Sequence, residues 1–114
     1  MEIQFTTMDS GTRLIKLMGR LDIVGTGEIE TRFAGFCSGE KVGVIVDLSQ
    51  VDFLASIGIR LLVLTAKSVS RRGGKMVLLS ATPDVANVLD LAGIPSIIPM
   101  YSQLESAEAV LRSG

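Results

Sequence analysis

The stretch VDLSQVDFLASIGIRLLVLTAKS (residues 46–68) decides the fold of this 114-residue chain. It begins at the end of an apolar run, passes through several polar residues, and then stays largely apolar for about three helical turns. We interpret it as a buried strand, a polar loop and a helix. One hydroxyl, that of Ser56, stands where the helix is predicted to begin, and it serves either as a helix cap or as a functional group.

The strand and the helix of this stretch extend beyond it on both sides. Residues 42–46 form a short, nearly continuous apolar run, which is typical of a strand covered on both faces. Asp47 ends the predicted strand, and the polar segment after it is the predicted loop. The helix that begins near Ser56 continues until two glycines, Gly73 and Gly74, interrupt it.

Upstream, the sequence predicts a hairpin and a helix. Apolar and polar side chains alternate before and after the turn signal at residues 9–11, which indicates a β-hairpin. A helix is predicted to begin near Thr26, because Glu28 and Glu30 then fall in its first turn, where the helix dipole favours anions. Gly39 is predicted to end this helix.

Downstream, a strand, a helix, a strand and a helix follow. Residues 75–81 form another buried strand, and Thr82 is predicted to cap a helix whose first residue is Pro83. Two prolines limit residues 94–101 to a short edge strand. Ser102 is predicted to cap the last helix.

The element order β-β-α-β-α-β-α-β-α therefore indicates an α/β fold. We expect a mixed, mostly parallel sheet of about five strands with about four helices packed on it. We find no linker, repeat or low-complexity segment, and we expect residues 1–114 to form a single domain.

Composition narrows the class of partner. With 11 basic and 12 acidic residues, the formal net charge is -1, so there is no electrostatic reason to expect direct binding to nucleic acid or to an anionic membrane. Charges interrupt every apolar run, and the first residues lack the pattern of a signal peptide. The single cysteine, Cys37, cannot form an internal disulfide, so we expect a cytoplasmic protein.

The usual residues of catalysis are missing. The chain has no histidine, which removes the commonest general base and the commonest zinc ligand. Carboxylates are scattered, and Cys37 lies in an apolar context that favours a buried hydrophobe over a nucleophile. Asp47 follows a strand, as the phosphorylated aspartate of a receiver domain does, but the acidic pair and the late lysine of receivers are absent. We expect no enzymatic activity, no cofactor and no metal site.

The predicted helix after Ser56 carries more apolar surface than packing on a sheet requires. One stripe at helical spacing suits the sheet, and a second stripe, formed by Ile57, Leu61 and Leu64, points in another direction. The second stripe belongs either to a deeply buried helix or to an exposed docking face beside Ser56. Four basic residues are predicted to rim it: Arg60, Lys67, Arg71 and Arg72.

Residues 45–79 resemble the central motif of STAS domains, in particular that of bacterial anti-sigma factor antagonists. The family pattern is a strand, Asp-Leu-Ser, a spaced aromatic, Asp-Ser-Ser/Thr-Gly-Leu, a helix, a Gly-Gly break and a strand. LMGRLD (residues 17–22) is similar to the Gly-x-Leu-Asp of the family hairpin, and residues 78–94 are similar to its third-helix segment. The resemblance covers almost the whole chain and implies the STAS fold.

The resemblance also implies a role in partner switching. In this family, an unphosphorylated antagonist binds an anti-sigma factor, which is a serine kinase with a histidine-kinase-like ATPase fold, and thereby releases the sigma factor. Phosphorylation prevents binding, and a PP2C-type serine phosphatase reverses the modification. The family's phosphoacceptor corresponds to Ser56. The expected partner-binding residues are Asp22, Asp47, Ser49, Ala55, Ser56, Ile57, Gly58, Arg60, Leu61 and Leu64.

Several of these residues admit other interpretations. This chain has Ala55 and Ile57 where the family has an aspartate and a second hydroxyl, which favours the binding role over the phosphorylation role. Asp47 and Ser49 could serve only local turn hydrogen bonds, and Gly58 could serve either close packing or access for a partner. The alternative function is a STAS scaffold or ligand-sensing module that docks its partner without phosphorylation.

Overall fold

The structure, a computed structural model, describes residues 1–113. Its element order agrees with the prediction from the sequence. The elements are β1 (Glu2–Thr7), β2 (Arg13–Leu21), α1 (Ile23–Phe36), β3 (Gly43–Leu54), α2 (Ser56–Arg71), β4 (Lys75–Leu79), α3 (Pro83–Leu91), a 3₁₀ turn (Ile94–Ser96), β5 (Met100–Tyr101) and α4 (Leu104–Ser113).

The five strands form one sheet in the order β1-β2-β3-β4-β5. The β1–β2 hairpin is antiparallel, and all other neighbouring strands are parallel. The predicted mixed, mostly parallel sheet with four helices is therefore confirmed. The parallel strands place their carboxyl ends, and the helices that follow them, at one edge of the sheet.

The two faces of the sheet are covered unequally. Apolar side chains of α1, α2 and α3, such as Phe33, Leu62 and Leu89, join the larger core on one face. On the other face α4 covers a smaller cluster through Ala107, which packs with Ile45 of β3 and with β4. Strand β3 contributes to both clusters, as its predicted burial on two faces requires.

The prediction of a polar loop after Asp47 is wrong, because β3 continues to Leu54. The pairing of β3 with β2 shifts register at two places, and at each place β3 has one extra residue. These bulges space the inward-facing Leu48, Val51 and Leu54 three residues apart instead of two. Because this spacing breaks the strict alternation of a regular strand, the sequence pattern did not predict the second half of β3.

Two helix boundaries also differ from the prediction, and both belong to α1. Helix α1 begins at Ile23 rather than near Thr26 and ends at Phe36, before Gly39. Helix α2 begins at Ser56, as predicted, so its N-cap is Ala55. The Thr82 cap of α3 and its Pro83 are confirmed.

The last strand and helix are shorter than predicted. Residues Ile94–Ser96 form a 3₁₀ turn, and the edge strand β5 contains two residues. Helix α4 begins at Leu104, so Ser102 does not occupy its N-cap position.

Candidate functional site

The ends of β2 and β3 place two helix starts side by side. Leu21 pairs with Leu54, the last residue of β3. The Ala55 N–H also donates to the Leu21 carbonyl over 3.0 Å. Asp22 and Ser56, which follow these residues, therefore lie at the same edge of the sheet.

Asp22 caps α1. Its Oδ1 accepts from the Gly25 N–H over 2.8 Å, which accounts for the early start of the helix. This backbone N–H, and next the hydrogen bond from the Arg20 guanidinium, hold the pKa of Asp22 below its ordinary value of 3.8. Asp22 is thus an ionised cap at the edge of the site.

Ser56 does not cap α2, so the prediction of an N-cap serine is wrong. The serine is the first helical residue, its side chain is exposed, and its hydroxyl has no hydrogen-bond partner among residues 1–113. Ala55, which occupies the cap position, supplies no side-chain hydrogen bond. The hydroxyl is therefore free to meet another molecule.

The start of α2 carries uncompensated positive character. The N–H groups of Gly58 and Ile59 donate to the Ala55 carbonyl over 3.0 and 3.1 Å. The N–H groups of Ser56 and Ile57 have no acceptor in the part of the chain that the structure describes. The first turn contains no acidic residue. An anion attached at Ser56 would meet the positive end of the helix dipole.

A groove of about 590 Å³ lies between α1 and α2, and Ser56 stands in its lining. The second apolar stripe of α2 faces this groove. Ile57 is 39% exposed and Leu64 is 53% exposed, whereas Leu61 is half-buried. The interpretation of the stripe as an exposed face, rather than as part of a buried helix, is confirmed for Ile57 and Leu64. The groove-lining residues are Thr26, Glu30, Ser56, Ile57, Arg60, Leu61 and Leu64.

Exposed apolar residues also stand at the start of α1, and the sequence analysis missed them. Ile23 is 74% exposed and Val24 is 70% exposed. Beside them the Arg20 guanidinium lies 4.2 Å from the centre of the Phe53 ring, which is itself exposed. The sequence DIV at residues 22–24 carried a signal, because an aspartate that can cap a helix is followed directly by two apolar residues, which then fall in the first turn.

Gly58 is buried and serves the fold of this chain. A Cβ at this position would lie 2.7 Å from Leu21 Cγ and 2.9 Å from the Leu21 carbonyl oxygen. Real side chains do not tolerate such distances without movement of a neighbour. Of the two interpretations of Gly58, close packing against the chain itself has the support of this geometry.

Asp47 and Ser49 lie inside β3, away from Ser56. Seven residue steps separate Asp47 from Leu54, and an extended strand covers about 20 Å over that length. The Asp47 Oδ1 accepts from the Ser49 N–H over 2.9 Å. This local hydrogen bond fits the turn-type interpretation of the two residues, and the structure does not bring them together with Ser56.

The four basic residues predicted to rim the apolar stripe are dispersed. Arg60 lines the groove. Arg72 instead donates to the carbonyl oxygens of Gly39 and Cys37, at 2.9 and 2.8 Å, and so secures the end of α1. Lys67 lies toward Ile97 and Pro99 on the other side of α2, and Arg71 is exposed at its last turn.

One buried hydroxyl in the groove lining is unsatisfied. The Oγ1 atom of Thr26 has no hydrogen-bond partner within residues 1–113, and the residue is 2% exposed. Leaving such a group unpaired costs stability.

Cys37 is fully buried, and burial raises the pKa of its thiol to about 12. The interpretation of Cys37 as a buried hydrophobe is confirmed. Within residues 1–113, the acidic and cysteine side chains form no cluster of three or more that could hold a metal ion. No helix in the same range is long and apolar enough to cross a bilayer.

Comparisons with known proteins agree on the fold. Residues 6–107 match the family model of the STAS domain. The chain is 28% identical to BtrV of Bordetella bronchiseptica, a protein provisionally named an anti-sigma factor antagonist. The match extends over 110 residues and covers 95% of each chain.

Two solved structures are also similar. An anti-sigma-factor antagonist (STAS) domain protein from Planctomyces limnophilus superposes with a TM-score of 0.85 at 25% identity, over 96% of this chain and 97% of that one. The phosphorylated form of the Bacillus cell fate determinant SpoIIAA superposes with a TM-score of 0.69 at 19% identity, over 96% and 99% of the two chains. The latter likeness shows the fold alone.

Proposed function

Because this chain belongs to the STAS domain family, we propose that it is an anti-sigma factor antagonist of a partner-switching pathway. Its unmodified form binds an anti-sigma factor, which is also a serine kinase with a histidine-kinase-like ATPase fold, and so releases a sigma factor. Phosphorylation of Ser56 ends this binding, and a PP2C-type phosphatase restores it. The protein itself has no catalytic role in this scheme.

The observation that carries the proposal is the free hydroxyl of Ser56 at the end of an apolar groove. The hydroxyl is exposed, and nothing in residues 1–113 hydrogen-bonds to it. Ile57 and Leu64 present apolar surface on the same helix, and both line the groove with Ser56. A partner that covers Ile57 and Leu64 would also cover the modification site.

The modification is a phosphoryl transfer. The Ser56 Oγ attacks the γ-phosphorus of ATP, the new Oγ–P bond forms as the bond between that phosphorus and the β,γ-bridging oxygen breaks, and ADP leaves. The hydroxyl proton passes to a base of the kinase, because no base among residues 1–113 hydrogen-bonds to the hydroxyl. Hydrolysis by the phosphatase returns the serine hydroxyl and inorganic phosphate.

The charge at Ser56 explains how one modification ends binding. A phosphoserine carries about -1.5 to -2 charges at neutral pH. A partner surface that packs on Ile57 and Leu64 would have to remove water from this charge, which costs free energy even when a cation pairs with the phosphate. The fold need not change, because Ser56 is exposed and supplies no capping hydrogen bond.

The phosphorylation is tested by incubating the chain with its cognate anti-sigma factor and ATP, followed by mass spectrometry. We expect one added phosphate on Ser56 and none in Ser56→Ala. Ser70→Ala is a matched control, because Ser70 is an exposed serine of the same helix, and this variant is expected to accept the phosphate. Phosphate on another residue, or on none, would contradict the proposal.

One observation favours the alternative of a scaffold that binds without phosphorylation. Ala55 stands at the N-cap of α2 and Ile57 follows Ser56, where the family has a carboxylate and a second hydroxyl. The substitutions make the surface more apolar and remove a carboxylate that could orient the serine. A chain that binds its partner but is never modified, with Ser56→Asp binding as tightly as wild type, would favour the scaffold.

A further inference from the structure

We propose that Arg60 is the built-in counter-ion of phosphorylated Ser56. This inference rests on the proposed function, since it concerns the state in which Ser56 carries a phosphate. In that state the guanidinium of Arg60 pairs with the phosphate oxygens within the same helix. Phosphorylation would then add an anion to the groove, and in the same step Arg60 would become paired and no longer be available to a partner.

The spacing of the two residues suits such a pair. Ser56 and Arg60 are separated by four positions in α2 and both line the groove. Side chains at this separation lie one above the other on a helix, with about 5–6 Å between their Cβ atoms. An anion placed four residues before a cation is also the more favourable order, because each then lies toward the helix end that attracts it.

Arg60 is available for this role. It is exposed, and no carboxylate lies within ion-pair distance of it in the part of the chain that the structure describes. Glu30 of α1 lines the same groove but makes no ion pair with Arg60. The guanidinium therefore has no bond to give up when a phosphate arrives, and its planar donors match phosphate oxygens.

The other charges around Ser56 do not substitute for Arg60. Arg20 already contacts Asp22 over 3.4 Å at the end of β2. Glu30 of α1 and Asp52 of β3 are acidic and would repel a phosphate. Helix α2 also packs on β4, whose charged residue, Lys75, lies at the opposite end of the sheet.

The test is a ³¹P NMR titration of the chain with phosphoserine installed at position 56 by genetic encoding, so that no kinase is needed. The second pKa of a phosphoserine is about 6. A neighbouring guanidinium favours the dianion and lowers this pKa, so we expect Arg60→Gln to raise it by about 0.3 to 0.7 unit. We expect the difference to shrink in 1 M NaCl, where the screening length is about 3 Å.

Two variants serve as controls. Lys67→Gln removes an exposed cation of the same helix that lies eleven positions from Ser56, which is about 16 Å along the helix axis. It is expected to leave the phosphate pKa unchanged. Arg60→Lys keeps the charge and is expected to retain most of the lowered pKa. Circular dichroism of each variant checks that α2 is intact.

An unchanged phosphate pKa in folded Arg60→Gln, or equal shifts in Arg60→Gln and Lys67→Gln, would overturn the inference. If Arg60→Gln does not fold, Arg60→Lys decides the matter through its salt dependence, since a pKa insensitive to salt would exclude the pair. The outcome is independent of whether a kinase modifies Ser56, so this inference and the proposed function can fail separately.

Discussion

Replacing Gly58 with alanine is expected to destabilise the protein at the junction that positions Ser56. Gly58 lies in the first turn of α2, where it is buried against the end of β2. An added Cβ would lie 2.7 Å from Leu21 Cγ and 2.9 Å from both Leu21 Cδ2 and the Leu21 carbonyl oxygen. The side chain of Leu21 is itself fully buried, so it has little room to move away.

The expected magnitude follows from two opposing effects. Overpacking of a filled site costs about 1–3 kcal/mol, and here one of the clashing atoms is backbone. Alanine gains about 1 kcal/mol over glycine in helix propensity. Because the backbone carbonyl of Leu21 cannot move aside easily, we expect overpacking at the upper end, about 2–3 kcal/mol, and so a net loss of about 1–2 kcal/mol in the free energy of unfolding.

Urea denaturation of wild type and Gly58→Ala measures this loss. Gly27→Ala is the matched control, because Gly27 lies in helix α1 and an added Cβ there would meet no atom within 4 Å. The control is expected to raise stability by about 0.5–1 kcal/mol. If Gly58→Ala were as stabilising as Gly27→Ala, the close approach of α2 to Leu21 would be refuted, and partner access would again become the better explanation of the glycine.

Three further perturbations have expected outcomes. Thr26→Val removes an unsatisfied buried hydroxyl at constant shape, so calorimetry is expected to show unchanged or higher thermal stability; a loss above about 1 kcal/mol would mean that the hydroxyl has a partner. Asp22→Asn concerns pH: because the pKa of Asp22 is lowered in the folded state, its ionised form stabilises the protein above about pH 4. That stability is lost as the pH falls from 3.8, the pKa in the unfolded chain, through the pKa of the folded state. The melting temperatures of wild type and Asp22→Asn should therefore converge in acid. A constant difference in melting temperature from pH 7 to pH 3 would argue against this effect. Leu64→Lys is expected to weaken binding of the anti-sigma factor but to change stability by less than about 0.5 kcal/mol, because Leu64 is exposed. The control Leu62→Lys should unfold the protein, because Leu62 is fully buried. Equal loss of stability in both variants would place Leu64 in the core.

The elements that could be predicted are those with explicit local signals. Thr82 and Pro83 mark the start of α3, and the glycines at 73 and 74 follow the end of α2. The apolar run before Asp47 indicated a strand covered on both faces, and β3 does contribute to both clusters of the core. In each case the signal lies in a few consecutive residues.

One error arose where a distant partner decides the structure, and another where a local helix cap prevails over the charge pattern. The second half of β3 forms because β2 lies beside it, and its two bulges disguise the alternation that a strand normally shows. Asp22 caps α1 three residues earlier than the charge pattern indicated, because its carboxylate reaches the Gly25 N–H. Asp47 and Ser49 were expected to line a loop, because the residues after Asp47 were not recognised as part of β3.

The candidate site was predicted in part. Ser56, Ile57 and Leu64 were found because a serine at a helix start and a surplus apolar stripe are visible in the sequence. Ile23 and Val24 were missed, since their contribution depends on the adjacent ends of β2 and β3, which only the sheet register reveals.

The central claim is that a charge on the Ser56 hydroxyl switches off binding of the anti-sigma factor. Its most direct test is titration calorimetry of the purified anti-sigma factor with the unmodified chain and with the chain phosphorylated on Ser56. We expect the unmodified chain to bind and the phosphorylated chain to bind at least about tenfold more weakly, a difference of about 1.4 kcal/mol. Equal affinities of the two forms would contradict the claim.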